Sequence, residues 1–259
     1  MSARIHPSAI VDPAARIGEG VEVGPFSIVG PGVELGAGTW VGAHVVLEGR
    51  TRVGRDNRFF PFCSIGGPPQ DKKYAGEDST VEIGDRNTIR EYVTINRGTA
   101  LDAGSTRVGD DNWIMAYVHF AHDCRIGSHA IFANACQLAG HVSVGDWAIL
   151  GATTLVHQFV SIGAHAFTGM GSYLPQDLPP YVMAAGNTAR PYGINSEGLK
   201  RRGFSPAALA AIKAAYRTLY RSGLSLEEAR GQLEAQARDC AEIVPMLEFL
   251  ASARRGLLR

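Results

Sequence analysis

The chain has 259 residues, 45% hydrophobic and 19% charged, a balance that excludes a disordered chain and leaves room for one large domain with a small appendage. Its 25 Lys and Arg cancel its 25 Asp and Glu, so bulk charge gives no reason to expect nucleic acid, and an acidic partner needs a local basic patch. Cys63, Cys124, Cys136 and Cys240 form no CxxC pair, against a disulfide framework or cysteine zinc site. They fit a reducing compartment. No run of about 18 apolar residues spans a membrane, and the N-terminus lacks a signal-peptide core. The expectation is a cytoplasmic protein.

From the N-terminus, apolar residues fall at Ile5, Val11, Ile17, Val23, Val29, Leu35, Val41, Leu47, Val53, Phe59 and Ile65, six apart without a miss. The period returns at Ile83, Ile89 and Ile95, then one residue out of phase from Val108 through Ile162. Six matches neither a helix nor an alternating sandwich strand. It fits a parallel β-helix in which each hexad gives one short strand and one corner, and three hexads close a triangular coil. Coils then stack at roughly 4.8 Å, the ordinary strand spacing. Glycine directly after the apolar residue, as in Ile17-Gly18 and Val53-Gly54, lets the backbone bend there.

Two segments break the period. Residues 66–82, opening Gly66-Gly67-Pro68-Pro69, read as a protruding loop, and 96–107 as a smaller excursion that causes the phase slip. After Thr168 the repeat fades through Pro175, Pro179, Pro180 and Pro191. Ser205-Pro206 starts a helix carrying Leu209, Ile212, Tyr216, Leu219 and Tyr220 to a stop at Gly223. Ser225 and Glu228 make a capping box for a second helix, and 242–254 suits a third. The expected organisation is a prism over 1–192 and a small helical domain over 193–259.

The 18-residue coil stacks distant positions by arithmetic. One coil past His122 is Gly140, beside His141, and two coils before His157 is Ala121, beside His122. His119 lies on the same coil as His122. Three coils therefore bring histidines to one edge, where the repeat needs no polar group. The clustering suits either zinc ligation or proton transfer.

The stretch His119-Phe120-Ala121-His122-Asp123-Cys124 resembles the catalytic segment of the UDP-N-acetylglucosamine O-acyltransferases, a hexapeptide-repeat family. Gln70-Asp71-Lys72-Lys73-Tyr74-Ala75-Gly76-Glu77 resembles that family's protruding loop. Leu138-Ala139-Gly140-His141, Val156-His157-Gln158-Phe159 and the run from Asn195 to Phe204 are similar to its other motifs. The likeness runs to the closing Arg254-Arg255-Gly256-Leu257-Leu258-Arg259. It implies a left-handed coil, although crossover statistics alone favour the right hand.

It also implies transfer of an R-3-hydroxyacyl chain from acyl carrier protein to the 3-hydroxyl of UDP-N-acetylglucosamine, the first step of lipid A synthesis, with neither cofactor nor metal. His122 is then the general base and Asp123 its orienting partner, though neighbours in a strand face opposite ways and the pair needs corner geometry. The Gly140 N–H is the oxyanion donor; from sequence alone Gly140 is equally a corner glycine. Substrate contacts carry over to Asp71, Lys73, His119, His141, His157, Gln158, Asn195, Glu197 and Arg201. Lys73 and Arg201 suit phosphate, though either is also an ordinary surface charge. Lys200-Arg201-Arg202 beside Lys72-Lys73 would make a basic patch for acyl carrier protein.

Two positions depart from common family residues. Asn96 stands where many relatives have histidine, and it receives no catalytic role. Met170 stands where relatives taking longer chains have glycine. As a ruler it predicts acyl chains near about ten carbons, each methylene lost being worth about 0.8 kcal/mol of burial; a plain packing role is the alternative. Met170 falls on a different edge from His122, so it measures an acyl chain only across a subunit boundary. That agrees with the homotrimer the family implies.

Three other readings stay open here: an N-acyltransferase of the same pathway, which would carry an N-terminal uridine-binding domain for which hexads from Ile5 leave no room; a zinc enzyme; and a non-catalytic scaffold.

Overall fold

The computed structural model describes residues 2–100 and 102–259. Among these, short strands stack into three sheets of eleven, nine and eight members, one per face of a prism, all parallel except the last strand of the first. The first face runs from Arg4–Ile5, the second from Ile10–Val11 and the third from Arg16–Ile17. Away from the two interruptions, successive strands within a face pair 18 residues apart, as in His119↔Gln137 and Phe120↔Leu138. The architecture is a left-handed parallel β-helix followed by helices.

The register follows the apolar hexads. Phe59, Ile89, Ile114, Phe132 and Leu150 stack inside the first face, and Ile65, Ile95, Phe120 and Leu138 inside the second, all fully buried. Ile5 in the first coil stays 45% exposed, because that coil has a neighbour on one side only. At the corners between faces one residue per coil has positive φ, including Asp123, His141 and Phe159 on one edge. Inside the corner between the third and first faces runs a polar ladder. The amide and side-chain N–H groups of Asn87 donate to Asn57 Oδ1, and those of Asn112 to Asn87 Oδ1, at 2.9–3.0 Å. Asn87→Ala strands donors of this fully buried ladder. The expected cost is about 1–3 kcal/mol in urea unfolding, and an unchanged midpoint would remove the ladder from the account of stability.

The interruptions are shorter than their sequence bounds. Ser64–Gly67 and Thr80–Ile83 are strands, with Val81 fully buried, so the loop leaves the prism only at 68–79. Thr94–Asn96 and Ser105–Val108 likewise remain on the prism, confining the excursion to 97–104. Polar alternation at their rims hid these strands. The repeat also outlasts Thr168: Tyr173–Leu174 pairs with Leu155–Val156, and Leu178 bridges to Ile162. Pro175, Pro179 and Pro180 lie between these pairings and leave their hydrogen bonds intact, whereas Pro191 sits within the edge strand Arg190–Ile194 opposite Ala184.

Strands Val182–Ala185 and Arg190–Ile194 close the first face as an antiparallel pair. Helix α1 spans Ser196–Arg201, α2 Pro206–Tyr220, α3 Leu226–Asp239 and α4 Val244–Ser252. Ser205 caps α2 through the Ala208 N–H, and Ser225 with Glu228 forms the capping box of α3. The tail then returns to the prism, where buried Asp177 accepts the N–H groups of Ser161, Arg254 and Arg255.

Candidate active site

The edge between the second and third faces gathers the functional groups. Asp123 occupies the corner with φ near 60°, a left-handed turn that swings its side chain back beside that of His122. This answers the alternation problem: His122 Nδ1 donates to Asp123 Oδ2 at 2.9 Å. Asp123 is fully buried and also accepts from the Thr99 amide (3.0 and 3.1 Å) and the Thr99 hydroxyl (2.7 Å). With Nδ1 donating to this carboxylate, the imidazole leaves its Nε2 as the nitrogen available to accept a proton.

The next coil supplies Gly140 and His141. A Cβ at Gly140 would lie 2.5 Å from His122 Cε1, so the imidazole occupies the space that a side chain would fill. Among the described residues no acceptor takes the Gly140 N–H. The His141 ring stands edge-on to that of His122 at 5.0 Å and stacks on Phe159 of the following coil at 4.5 Å. His141 Nδ1 donates to Asp102 at 3.0 Å. That bond, and then Arg125, holds the Asp102 carboxyl below its usual range. His119, facing outward on the second face, bonds Thr94 Oγ1 at 2.7 Å. Burial lowers its pKa and the nearby His122 adds to this, while hydrogen bonding to Thr94 opposes it.

From His141 a groove of about 1090 Å³ opens along the third face. Asp71 and Lys73 of the loop, Gln158 and Phe159 of the edge, and Phe249 of α4 line it. Thus Asp71, Lys73, His141 and Gln158 meet, next to the His122–Asp123 pair. His157 shares the edge but turns towards the tail, its Nδ1 lying 3.3 Å from an Arg255 nitrogen.

Asn195, Glu197 and Arg201 lie elsewhere. Asn195 caps α1 and donates to the His165 carbonyl, at the corner between the third and first faces. Glu197 pairs with Lys200 at 2.8 Å. Arg202 lies over the Trp147 ring at 5.0 Å and 3.4 Å from His165. Within one chain, therefore, the Lys200-Arg201-Arg202 cluster does not adjoin Lys72-Lys73. Met170 is 77% exposed on the remaining edge, between the first and second faces.

Sequence reasoning missed Thr99 as support for the pair, and Asp102 and Phe159 as support for His141. Thr99 and Asp102 sit in the excursion, where the period gives no phase, and Phe159 lay in a motif without a role. His122, Asp123 and His141 present ligand atoms within 4.8 Å of one another, a spacing compatible with a metal. However, the Asp123 oxygens already accept hydrogen bonds from Thr99 and His122, which leaves the carboxylate poorly placed to ligate.

Among the described residues no helix is long and apolar enough to cross a membrane. A family model described as Udp N-acetylglucosamine O-acyltransferase, Domain 2, matches residues 177–258, and one for the bacterial transferase hexapeptide (six repeats) matches 105–140. The chain is 57% identical to the acyl-[acyl-carrier-protein]–UDP-N-acetylglucosamine O-acyltransferase of Burkholderia lata over 99% of both chains. It is 57% identical to the enzyme of that name from Thiobacillus denitrificans, over 99% of this chain and all of the relative. The solved structure of LpxA from Acinetobacter baumannii superposes with a TM-score of 0.97 at 41% identity, covering 98% of this chain and 99% of that one. With such likeness along its whole length, on a hexad prism bearing the histidine edge, the chain belongs to the acyl-[acyl-carrier-protein]–UDP-N-acetylglucosamine O-acyltransferase family.

Proposed function

We propose that this acyltransferase moves an R-3-hydroxyacyl chain from acyl carrier protein to the 3-hydroxyl of UDP-N-acetylglucosamine, opening lipid A synthesis, with His122 as general base. The observation that carries the mechanism is the His122 ring, bonded at Nδ1 to buried Asp123 and lying against Gly140. Nε2 takes the proton of the sugar hydroxyl as its oxygen attacks the thioester carbonyl. Asp123 stabilises the imidazolium so formed. The oxyanion of the tetrahedral intermediate meets the Gly140 N–H, a donor worth roughly 3 kcal/mol in such sites. Collapse expels the carrier thiolate, which receives the proton back from Nε2. The direct test is an acyl-transfer assay with a panel of 3-hydroxyacyl carrier proteins and the sugar nucleotide. No transfer with any donor would sink the assignment.

The proposed substrate groups occupy three edges of one chain: His119, His141, His157 and Gln158 with the loop residues Asp71 and Lys73 near the first, Asn195, Glu197 and Arg201 on the second, Met170 on the third. A homotrimer brings different edges of neighbouring chains together and supplies the cover that an exposed edge lacks. Light scattering should give three chain masses. In that assembly the exposed Met170 faces a partner's groove and shortens it. Met170→Gly should therefore shift the products towards longer acyl chains, read by mass spectrometry; native products centred on about fourteen carbons would end the ruler argument. The free thiols of Cys63, Cys124 and Cys136, all buried, suit a reducing cytoplasm.

A further inference from the structure

The 97–104 excursion is more than a phase slip. It carries two groups, three residues apart, that each grip one member of the histidine edge. Thr99 holds Asp123 through both its amide and its hydroxyl. Asp102 holds His141, and is itself held by Arg125 at 2.8 Å.

The second grip solves a specific problem. The His141 side chain is only 8% exposed and lies nearly parallel to Phe159, with 14° between the rings. Stacking fixes the plane of an imidazole but not which nitrogen points which way, because a half-turn of the ring preserves the contact. A carboxylate at Nδ1 removes that freedom. With Nδ1 bonded to Asp102, Nε2 is directed towards the His122 side, 3.9 Å from Asp123 Oδ2. His141 also lines the groove shared by Asp71, Lys73 and Gln158, so its ring orientation decides what it offers a molecule bound there.

We propose that Asp102 is a positioning residue: it locks His141 in the one ring orientation that contacts the sugar-nucleotide acceptor, a statement that rests on the acyl-transfer reading above. The excursion is then a two-pronged brace, Thr99 serving the base pair and Asp102 the acceptor contact. Asp102 itself borders the groove, and on this reading its removal weakens acceptor binding through His141 rather than through a contact of its own, a distinction the double variant reads directly.

The test joins a spectrum to a double-mutant cycle. In protein labelled with 15N-histidine, the His141 ring should show one tautomer with the proton on Nδ1, and D102A should lose or mix it. D102A should raise KM for UDP-N-acetylglucosamine about 10- to 100-fold, the range for losing an orienting partner, with kcat and the KM for acyl carrier protein moving far less. D102A/H141A should be no worse than H141A, because the two residues act as one unit. An unchanged His141 spectrum in D102A, or losses that multiply in the double variant, would overturn the proposal. A merely structural Asp102 would give multiplying losses with a lowered Tm. Full activity in H122A would instead sink the general-base reading and leave the His141 spectrum to be judged independently.

Discussion

Replacing His122 with alanine should cut acyl transfer by about 10²–10⁴-fold in kcat while leaving the fold intact. The His122 side chain is 10% exposed, and it touches the corner glycine of the next coil rather than the stacked apolar core. Its loss therefore removes a proton acceptor from the edge without opening a cavity among the inward residues. Because Nδ1 is committed to Asp123, no other atom of the ring can take the sugar proton. The check is steady-state transfer beside a thermal melt, and undiminished transfer in the folded variant would end the general-base assignment. H122Q, which can hydrogen-bond but cannot take up a proton at neutral pH, should fare little better than alanine.

The second large effect is expected at Gly140, where the corner-glycine and oxyanion readings meet. Its backbone lies outside the positive-φ region, so alanine is conformationally tolerable there. Space is the obstacle: the new Cβ would stand 2.5 Å from His122 Cε1 and 2.6 Å from Nε2. Either the ring swings off Asp123 or the coil carrying the Gly140 N–H shifts, and both misplace groups that must meet one transition state. A displacement of about 1 Å in such a site costs on the order of 10²-fold, so G140A should lose at least that in kcat. Gly193, whose added Cβ would meet nothing within 4 Å, is the control: G193A should be silent. Equal activity in G140A and the native enzyme would show that neither the ring position nor the N–H matters.

Where the sequence is periodic, structure could be read from it residue by residue. The apolar hexads set the faces, and counting in eighteens placed Gly140 and His141 against His122 because parallel pairing preserves that interval. Counting says nothing about side-chain direction. It put His157 on the correct edge but not its turn towards Arg255, which depends on a tail folded back from nearly a hundred residues away. Nor could alternation foresee the His122–Asp123 bond, since it arises from a left-handed corner at Asp123. Asp102 escaped for a different reason: the excursion has no period, so nothing in the chain order aligns it with His141, 39 positions later.

The two places where the prism lets the chain out lie at the same edge, and both rejoin it in perfect strand pairing, Thr80–Ile83 against Ser105–Val108. A detour there leaves the rejoining strands fully paired, and lengthening a flexible detour twofold raises its closure entropy by only about 0.6 kcal/mol. The rod thus separates two kinds of change. Substitutions among inward residues are tested against packing, while the rim of the reactive crevice can be rewritten in length and composition at nearly constant stability. Diversification of acceptor preference in such proteins should therefore be concentrated in these two detours, with the coil count held fixed.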